Sequence, residues 1–145
     1  MANKYFQSTE FNYLFEDGWF YPGDMGKLDS KGLLTLSGRS DEVINRGGVK
    51  IDPSSIDDYL SSQSGVKDVA TFKVLTSQGD VKLLSVLVVE DKSTFDIEAL
   101  KNNFLKTLGN ARIPDKFELV DEIPRSSMGK TPRKELSDKY QHLFN

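Results

Sequence analysis

The clearest chemical signal in the sequence is a basic loop near the C-terminus, DEIPRSSMGKTPRK at residues 121–134. Gly129 lets the backbone turn tightly, so that Lys130 projects from the tip of the loop. Arg125 and Arg133 add positive charge, and a helix predicted to begin just beyond would attract anions at its N-terminus. Lys130 could therefore neutralise negative charge on a phosphate group. A solvated basic loop without a ligand remains the commoner explanation for such a composition.

A second basic turn, RGGVK, occupies residues 46–50. Gly47 and Gly48 would let the backbone come close to a ligand, and Lys50 lies on the same turn. The spacing differs from the phosphate-binding pattern GxxxxGK[ST] and from the dinucleotide-binding pattern GxGxxG. Because Gly-Gly is also common in plain hairpin turns, this stretch alone leaves both explanations open.

Three charged residues upstream are candidates for ligand contacts. Asp24, in Pro22-Gly23-Asp24, could present a carboxylate to ligand hydroxyls, although an aspartate in such a position more often caps a turn. Arg39 and Asp41 could equally form a surface ion pair that adds little stability.

Composition excludes several classes of site. The 145 residues include no cysteine and one histidine, His142, so thiolate chemistry, disulfides and multi-histidine metal sites are not expected. The formal net charge of −3 argues against bulk nucleic-acid binding. No apolar run reaches membrane-spanning length and no signal peptide is recognisable, so a cytoplasmic location is expected.

The elements that must hold these loops fall into two parts. Residues 1–16 are predicted to be a loosely held lead-in, followed by short strands at 19–21 and 33–37 around a turn at 29–32. Beyond residue 38 we predict an α+β module with a small, mostly antiparallel sheet flanked by helices. Its predicted strands are 42–45, 49–51, 66–75, 82–90 and 117–120, and its helices begin after Asp52, Asp96 and Thr131.

The ordered set of motifs resembles the C-terminal part of the acyl-adenylate-forming superfamily. Three stretches match: DGWFYPGDMG at 17–26, GRSDEVINRGGVKIDPSSID at 38–57, and PRSSMGKTPRKEL at 124–136. The superfamily includes AMP-forming acyl-CoA synthetases, aryl-acid ligases, luciferase and peptide-synthetase adenylation domains. Since the match covers nearly the whole chain in order, it outweighs the alternatives that each motif leaves open on its own.

The resemblance implies a division of the chain. Residues 1–38 would be the tail of a large N-terminal adenylation domain, and residues 39–145 the C-terminal lid domain, with a hinge at about 39–41. The phosphate-gripping loop and the acid pocket of the family are not in this sequence. The chain alone is therefore expected to be catalytically incomplete and to need the large domain, in cis or in trans.

The resemblance also implies roles for the candidate residues of the adenylation step. Asp24 would bind the ribose hydroxyls of ATP or AMP, Arg39 would contact the nucleotide, and Asp41 would be the hinge residue. Lys130 would be the catalytic lysine that contacts the carboxylate and the α-phosphate.

For the thioester step, the family places Gly47 and Gly48 in the loop near the pantetheine thiol, with Lys50 on the same loop. The thiol would come from coenzyme A or a pantetheinyl carrier, and Mg²⁺ would accompany ATP without being bound by this chain. Two departures are visible: Pro22 stands where the family usually has threonine, and Asn45 replaces a lysine of some members. The sequence INRGG, residues 44–48, resembles ligases of aryl and fatty acids more than peptide-synthetase domains.

Two other functions remain open from the sequence. A stand-alone, non-catalytic lid homologue could bind a partner protein or a carrier domain. A small nucleic-acid-binding module would also use basic glycine loops, but the acidic balance of the chain disfavours it.

Overall fold

The computed structural model describes residues 15–127 and 129–144. The chain divides into two compact units, of which the first ends at Asp41 and the second begins at Glu42. The predicted lead-in over residues 1–16 lies almost entirely outside the described residues. Within the described part, no helix has the length and apolar character needed to cross a bilayer.

The first unit contains two separate antiparallel strand pairs. Strand β1 (Phe15–Glu16) pairs with β2 (Trp19–Phe20), and β3 (Asp24–Leu28) pairs with β4 (Leu34–Arg39). The sequence did not reveal β3, because Pro22-Gly23 breaks the chain just before it and Gly26 interrupts its alternation. A Cβ at Gly26 would lie 2.9 Å from the Thr35 carbonyl oxygen, so the tight pairing at this point requires glycine.

Three leucines line one face of the β3–β4 hairpin and remain exposed. Leu28 is opposite Leu34, and Leu36 follows two residues later on the same face. Their exposed fractions are 70%, 59% and 67%. A two-stranded hairpin with an uncovered apolar face is marginal in water, so this face needs something to pack against.

The second unit is built on a three-stranded sheet with the order β7-β8-β9. Strand β7 (Val66–Leu75) runs antiparallel to β8 (Val81–Val89), and β9 (Lys116–Leu119) runs parallel to β8. The almost wholly apolar β8 is the central strand, as its sequence predicts. A separate hairpin of β5 (Ile44–Arg46) and β6 (Val49–Ile51) carries the glycine turn.

Three helices flank this sheet. Helix α1 (Pro53–Ser61) begins where the Asp52 side chain accepts a hydrogen bond from Ser54 N, and α2 (Ile97–Leu108) where Asp96 accepts one from Ala99 N. Helix α2 ends at Gly109, whose φ of 79° suits glycine. Helix α3 (Arg133–Tyr140) has no side-chain hydrogen bond at its N-cap, Pro132. Short 3-10 turns occupy Asn110–Arg112 and Gln141–Phe144.

The core has two layers, one on each face of the sheet. Helices α1 and α2 and the β5–β6 hairpin cover one face, with buried Ile44, Ile51, Ile56, Leu60, Val69, Leu83, Leu87, Val89, Leu100, Phe104 and Phe117. Helix α3 covers the other face, with buried Ala70, Phe72, Val74, Leu84, Val86, Ile123 and Leu136. The predicted α+β class with a small, mostly antiparallel sheet is confirmed.

Candidate catalytic loops

Lys130 lies at the end of a tight turn that is organised by Ser126. Ser126 N donates to Lys130 O at 2.8 Å, Gly129 N donates to Ser126 O at 2.8 Å, and Lys130 N donates to Ser126 Oγ at 3.1 Å. Gly129 has φ 74°, which a residue with a Cβ rarely adopts. The Lys130 side chain is exposed, and nothing in 15–127 or 129–144 accepts a hydrogen bond from its Nζ. The backbone of the turn is thus fixed while the cation faces solvent.

Arg125 joins the two ends of this turn and ties them to the sheet. Its guanidinium donates to Thr131 Oγ1 and pairs with the carboxylate of Asp68 on β7. The sequence suggested that Arg125 adds to the positive charge of the loop. In the structure, Arg125 is paired with Asp68, whereas the ammonium of Lys130 has no carboxylate partner among residues 15–127 and 129–144.

Arg133 was expected to add positive charge to the loop, but in the structure two carboxylates pair with it. Its Nη2 lies 2.7 Å from Asp57 Oδ2, its Nη1 lies 3.1 Å from Glu42 Oε2, and its Nε donates to Thr71 O at 2.9 Å. Only 20% of its side chain is exposed. Arg133 therefore joins α3, α1, β7 and the first residue of the second unit.

The carboxyl group of Asp57 is mostly buried and has a raised pKa. Burial disfavours its charged form and raises the pKa from 3.8 to about 6, although hydrogen bonds from Thr71 and the positive charge of Arg133 act in the opposite direction. Thr71 N donates to Asp57 Oδ1 at 2.6 Å. The ion pair with Arg133 thus weakens in mildly acidic solution.

The glycine turn between β5 and β6 has both glycines at positive φ, 57° for Gly47 and 84° for Gly48. Gly48 N donates to Asn45 Oδ1 at 3.1 Å, which closes the turn. A Cβ on either glycine would meet no atom within 4 Å, so a ligand could approach this backbone closely. Lys50 is exposed on the return strand.

Arg46, just before the glycines, points back into the fold. Its Nη1 donates to Ile113 O at 2.8 Å, and its Nη2 pairs with the Asp115 carboxylate. Asp115 also accepts a hydrogen bond from Leu83 N of β8 at 2.7 Å. The glycine turn is therefore tied to the β8–β9 side of the sheet, whereas the Lys130 turn is tied to β7.

The structure brings together the three candidate residues of the first unit. Asp24 and Arg39 are register partners across β3 and β4, and Arg39 Nη1 lies 3.6 Å from Asp24 Oδ1. Arg39 Nε donates to Asp41 Oδ1 at 3.1 Å. Arg39 thus lies between the carboxylate expected to bind ribose and the expected hinge residue.

Sequence reasoning missed Asp57, Glu42 and Asp115 as partners of the loop arginines. Asp57 and Arg133 are 76 residues apart, and Arg46 and Asp115 are 69 apart. No local pattern signals such pairs, because acidic residues at these positions read as ordinary surface charges.

Known proteins provide an independent comparison. No family model matches the sequence. The chain is 33% identical to sulfoacetate–CoA ligase of Cupriavidus necator over 120 residues, which cover 83% of this chain and 24% of the ligase. It spans about a quarter of the length of this ligase and of the oxalate–CoA ligases of Saccharomyces cerevisiae and Arabidopsis thaliana, to which it is also similar.

Solved structures give the same result for the fold. The chain superposes on ATP-bound MatB from Rhodopseudomonas palustris with a TM-score of 0.84 and 26% identity, over 96% of this chain and 28% of MatB. It superposes on o-succinylbenzoate CoA synthetase (MenE) from Bacillus subtilis, in complex with an acyl-adenylate intermediate, with a TM-score of 0.79 and 27% identity, over 92% and 28% of the two chains. The chain therefore belongs to the acyl-adenylate-forming superfamily and corresponds to the C-terminal domain of its AMP-forming CoA ligases.

Proposed function

We propose that this chain is the mobile lid of an AMP-forming acid–thiol ligase and that it serves the two steps of the reaction with two different turns. The observation that carries the proposal is the pair of turns themselves. Each is fixed at its base by an arginine and open at its tip, one ending in an exposed lysine and the other in two unobstructed glycines. Both lie in a unit whose fold is that of a ligase C-terminal domain.

In the first step, a carboxylate oxygen of the acid attacks the α-phosphorus of ATP, and pyrophosphate leaves with the bonding electron pair. Lys130 would lie against the α-phosphate and the attacking carboxylate, where two anions meet and a cation lowers the barrier. Asp24 would accept hydrogen bonds from the ribose hydroxyls, and Arg39 would contact the nucleotide. The short contacts of Arg39 with Asp24 and Asp41 keep its guanidinium close to both residues.

In the second step, the thiol sulfur of coenzyme A or of a pantetheinyl carrier loses its proton to water and attacks the acyl carbonyl carbon of acyl-AMP, and AMP leaves with the electron pair of the acyl carbon–oxygen bond. Rotation about Asp41, the last residue of the first unit, would withdraw Lys130 and bring in the glycine turn. The open backbone at Gly47 and Gly48 gives the pantetheine arm room to pass, and Lys50 offers a cation beside it.

The partner implied by this scheme is the large N-terminal domain of the ligase, in cis or in trans. The relatives are about four times as long as their match to this chain, and the exposed leucines of β3 and β4 form an apolar face for such a domain to cover. That domain would hold the carboxylic acid substrate and the Mg²⁺ that accompanies ATP. We place the whole enzyme in the cytoplasm.

The experiment that tests this function compares the chain with a complete ligase. The chain alone, supplied with ATP, labelled pyrophosphate and a panel of carboxylic acids, is expected to give no ATP–pyrophosphate exchange. A fusion in which the chain replaces the matching quarter of the sulfoacetate–CoA ligase is expected to exchange with sulfoacetate and to form its CoA thioester. Robust exchange by the chain alone would show that the chain is not incomplete.

A non-catalytic adaptor that binds a partner protein is the second candidate. The exposed leucine face of β3 and β4 favours it, because an exposed apolar patch of this kind often marks a surface that binds another protein. The two functions differ in their need for the lysine. In an adaptor, Lys130→Ala would leave every measured activity of the partner complex unchanged.

A further inference from the structure

Building on the proposed function, and resting on it, we propose that Arg133 and Arg46 are positioning residues that hold the two working turns independently of one another. Arg133 fixes the lysine turn for the adenylation step, and Arg46 fixes the glycine turn for the thioester step. Neither arginine touches substrate in this scheme.

Arg133 is suited to this role by its place in the chain and by its partners. It is three residues from Lys130, in the first turn of α3, and its guanidinium contacts Asp57 on α1 and the Thr71 carbonyl of β7. Its third partner is Glu42, which follows Asp41 directly. The half-buried guanidinium of Arg133 thus fixes the base of the lysine turn to the core and to Glu42, the residue after the expected hinge. When the lid rotates about Asp41, the lysine turn must then move together with Glu42, the next residue in the chain.

Arg46 holds the glycine turn in a similar way on a different part of the sheet. It directly precedes Gly47, and its guanidinium contacts the Ile113 carbonyl and the Asp115 carboxylate. Because Asp115 also accepts from Leu83 N, the turn is tied to β8 and to the start of β9. The side chain is 28% exposed, so water competes only partly for these contacts.

The two sets of contacts share no residue. Arg133 binds to α1, β7 and Glu42, whereas Arg46 binds beside β8 and β9, and β7 and β9 are the two outer strands of the sheet. Loosening one turn should therefore leave the other in place. This independence suits a lid that must present one turn rigidly in each of two poses, because a turn displaced by about 1 Å can lose about a hundredfold in rate.

The first test measures amide hydrogen exchange residue by residue in the full chain by NMR. Arg133→Lys and Arg46→Lys keep the charge but lose the planar fork. We expect Arg133→Lys to speed exchange at Gly129 and Lys130 roughly tenfold, which corresponds to a local opening easier by about 1.4 kcal/mol, and to leave Gly48 unchanged. Arg46→Lys should do the reverse. Equal acceleration at all three amides, or none, would overturn the proposal.

If Arg133→Lys fails to fold, Glu42→Gln takes its place, since it removes the negative charge of one of the three partners and leaves Asp57 and Thr71 engaged. Lys101→Ala is the matched control, because it removes a solvent-exposed pair with Glu98 on α2 and touches neither turn. All three reporter amides should exchange in this control as they do in the native chain.

The second test uses the sulfoacetate–CoA ligase fusion and separates the two steps. Arg133→Lys should lower ATP–pyrophosphate exchange about tenfold and leave thioester formation from supplied acyl-AMP within about twofold, and Arg46→Lys should show the opposite split. Equal losses in both steps for each variant would overturn the positioning roles. If the exchange pattern holds in the chain but the native fusion catalyses neither step, the proposed function fails and the independent anchoring stands.

Discussion

Arg133 Nη2 lies 2.7 Å from Asp57 Oδ2, and this ion pair joins the helix on one face of the sheet to a helix on the other face. Both side chains are less than one quarter exposed, so the pair is desolvated on both sides. The Asp57 carboxylate also accepts a hydrogen bond from the Thr71 N–H, and Arg133 Nε donates to the Thr71 carbonyl. The pair therefore has the additional hydrogen bonds that a buried charge requires. Any change in the charge of Asp57 is therefore felt in both layers.

The raised pKa of Asp57 predicts a pH dependence of stability. Since the pKa of Asp57 is about 6 in the folded state and the ordinary value is 3.8, the folded state holds a proton between these two pH values that the unfolded state has lost. The contribution of this proton to the free energy of unfolding is complete below about pH 4 and is lost as the pH rises to about 6. Between these values, the free energy of unfolding falls by at most about 1.4 kcal/mol per pH unit. Urea unfolding of the chain, measured at intervals of half a pH unit, should show this fall in the free energy of unfolding, and Asp57→Asn should remove it. Identical slopes in both proteins would contradict the assignment.

Removal of the arginine should destabilise the second unit more than loss of a surface ion pair does. Arg133→Met leaves two carboxylates without their cation, and we expect the free energy of unfolding to fall by about 2–4 kcal/mol at pH 7. The double variant Arg133→Met/Asp57→Asn should recover part of the loss, because one uncompensated charge is gone. Lys101→Ala, which breaks an exposed pair on α2, should cost less than about 0.5 kcal/mol. Strict additivity in the cycle would show that the two residues do not interact.

Lys130→Ala should separate chemistry from stability. The side chain is exposed, so the free energy of unfolding should stay within about 0.5 kcal/mol of the native value. In the fusion with the ligase domain, ATP–pyrophosphate exchange should fall by about a hundred- to a thousandfold, because the cation at the α-phosphate is lost. Thioester formation from supplied acyl-AMP should change much less. Comparable losses in both steps would remove Lys130 from the adenylation role.

The glycine turn allows a matched comparison of two glycines. Gly48 and Gly79 have φ of 84° and 88°, and an added Cβ would meet nothing within 4 Å at either site. Alanine at each should therefore cost a similar amount, about 1–2 kcal/mol, through the backbone alone. Only Gly48→Ala should slow the thioester step, since Gly79 lies in the β7–β8 turn. A slow thioester step in both variants would attribute the effect to stability.

The exposed leucines predict a change in association rather than in folding. Leu36→Lys, at a position 67% exposed, should leave the unfolding of the chain nearly unchanged and raise its solubility. Binding to a separately expressed large domain, measured by titration calorimetry, should weaken by at least about tenfold. The reason is that the Leu36 side chain would no longer be buried against that domain. Unchanged binding would exclude this face as the contact with that domain.

The extent to which sequence foretold structure differs between elements. Strand β7 has the predicted bounds, and α2 begins at the Asp96 cap and stops at Gly109 as expected, because alternation and capping are local signals. Strand β3 was missed, since its pairing with β4 rather than its own pattern makes it a strand. The arginine anchors were missed for the same reason. An arginine in a basic loop looks like a ligand contact until the fold brings a distant carboxylate beside it, as it does for Arg133.

Side chains, and not another strand, bind the backbone groups on the outer side of β7. Thr71 directs its N–H to Asp57 and its carbonyl to Arg133, the two groups that a neighbouring strand would otherwise occupy. Gln141 likewise donates to the Leu75 carbonyl near the end of the same strand. Because these backbone groups are already hydrogen-bonded to side chains, they are not available to pair with a strand of a second molecule. Damage to the Arg133–Asp57 pair would then expose a template for intermolecular β-pairing, so aggregation would be the first sign that this ion pair had been lost.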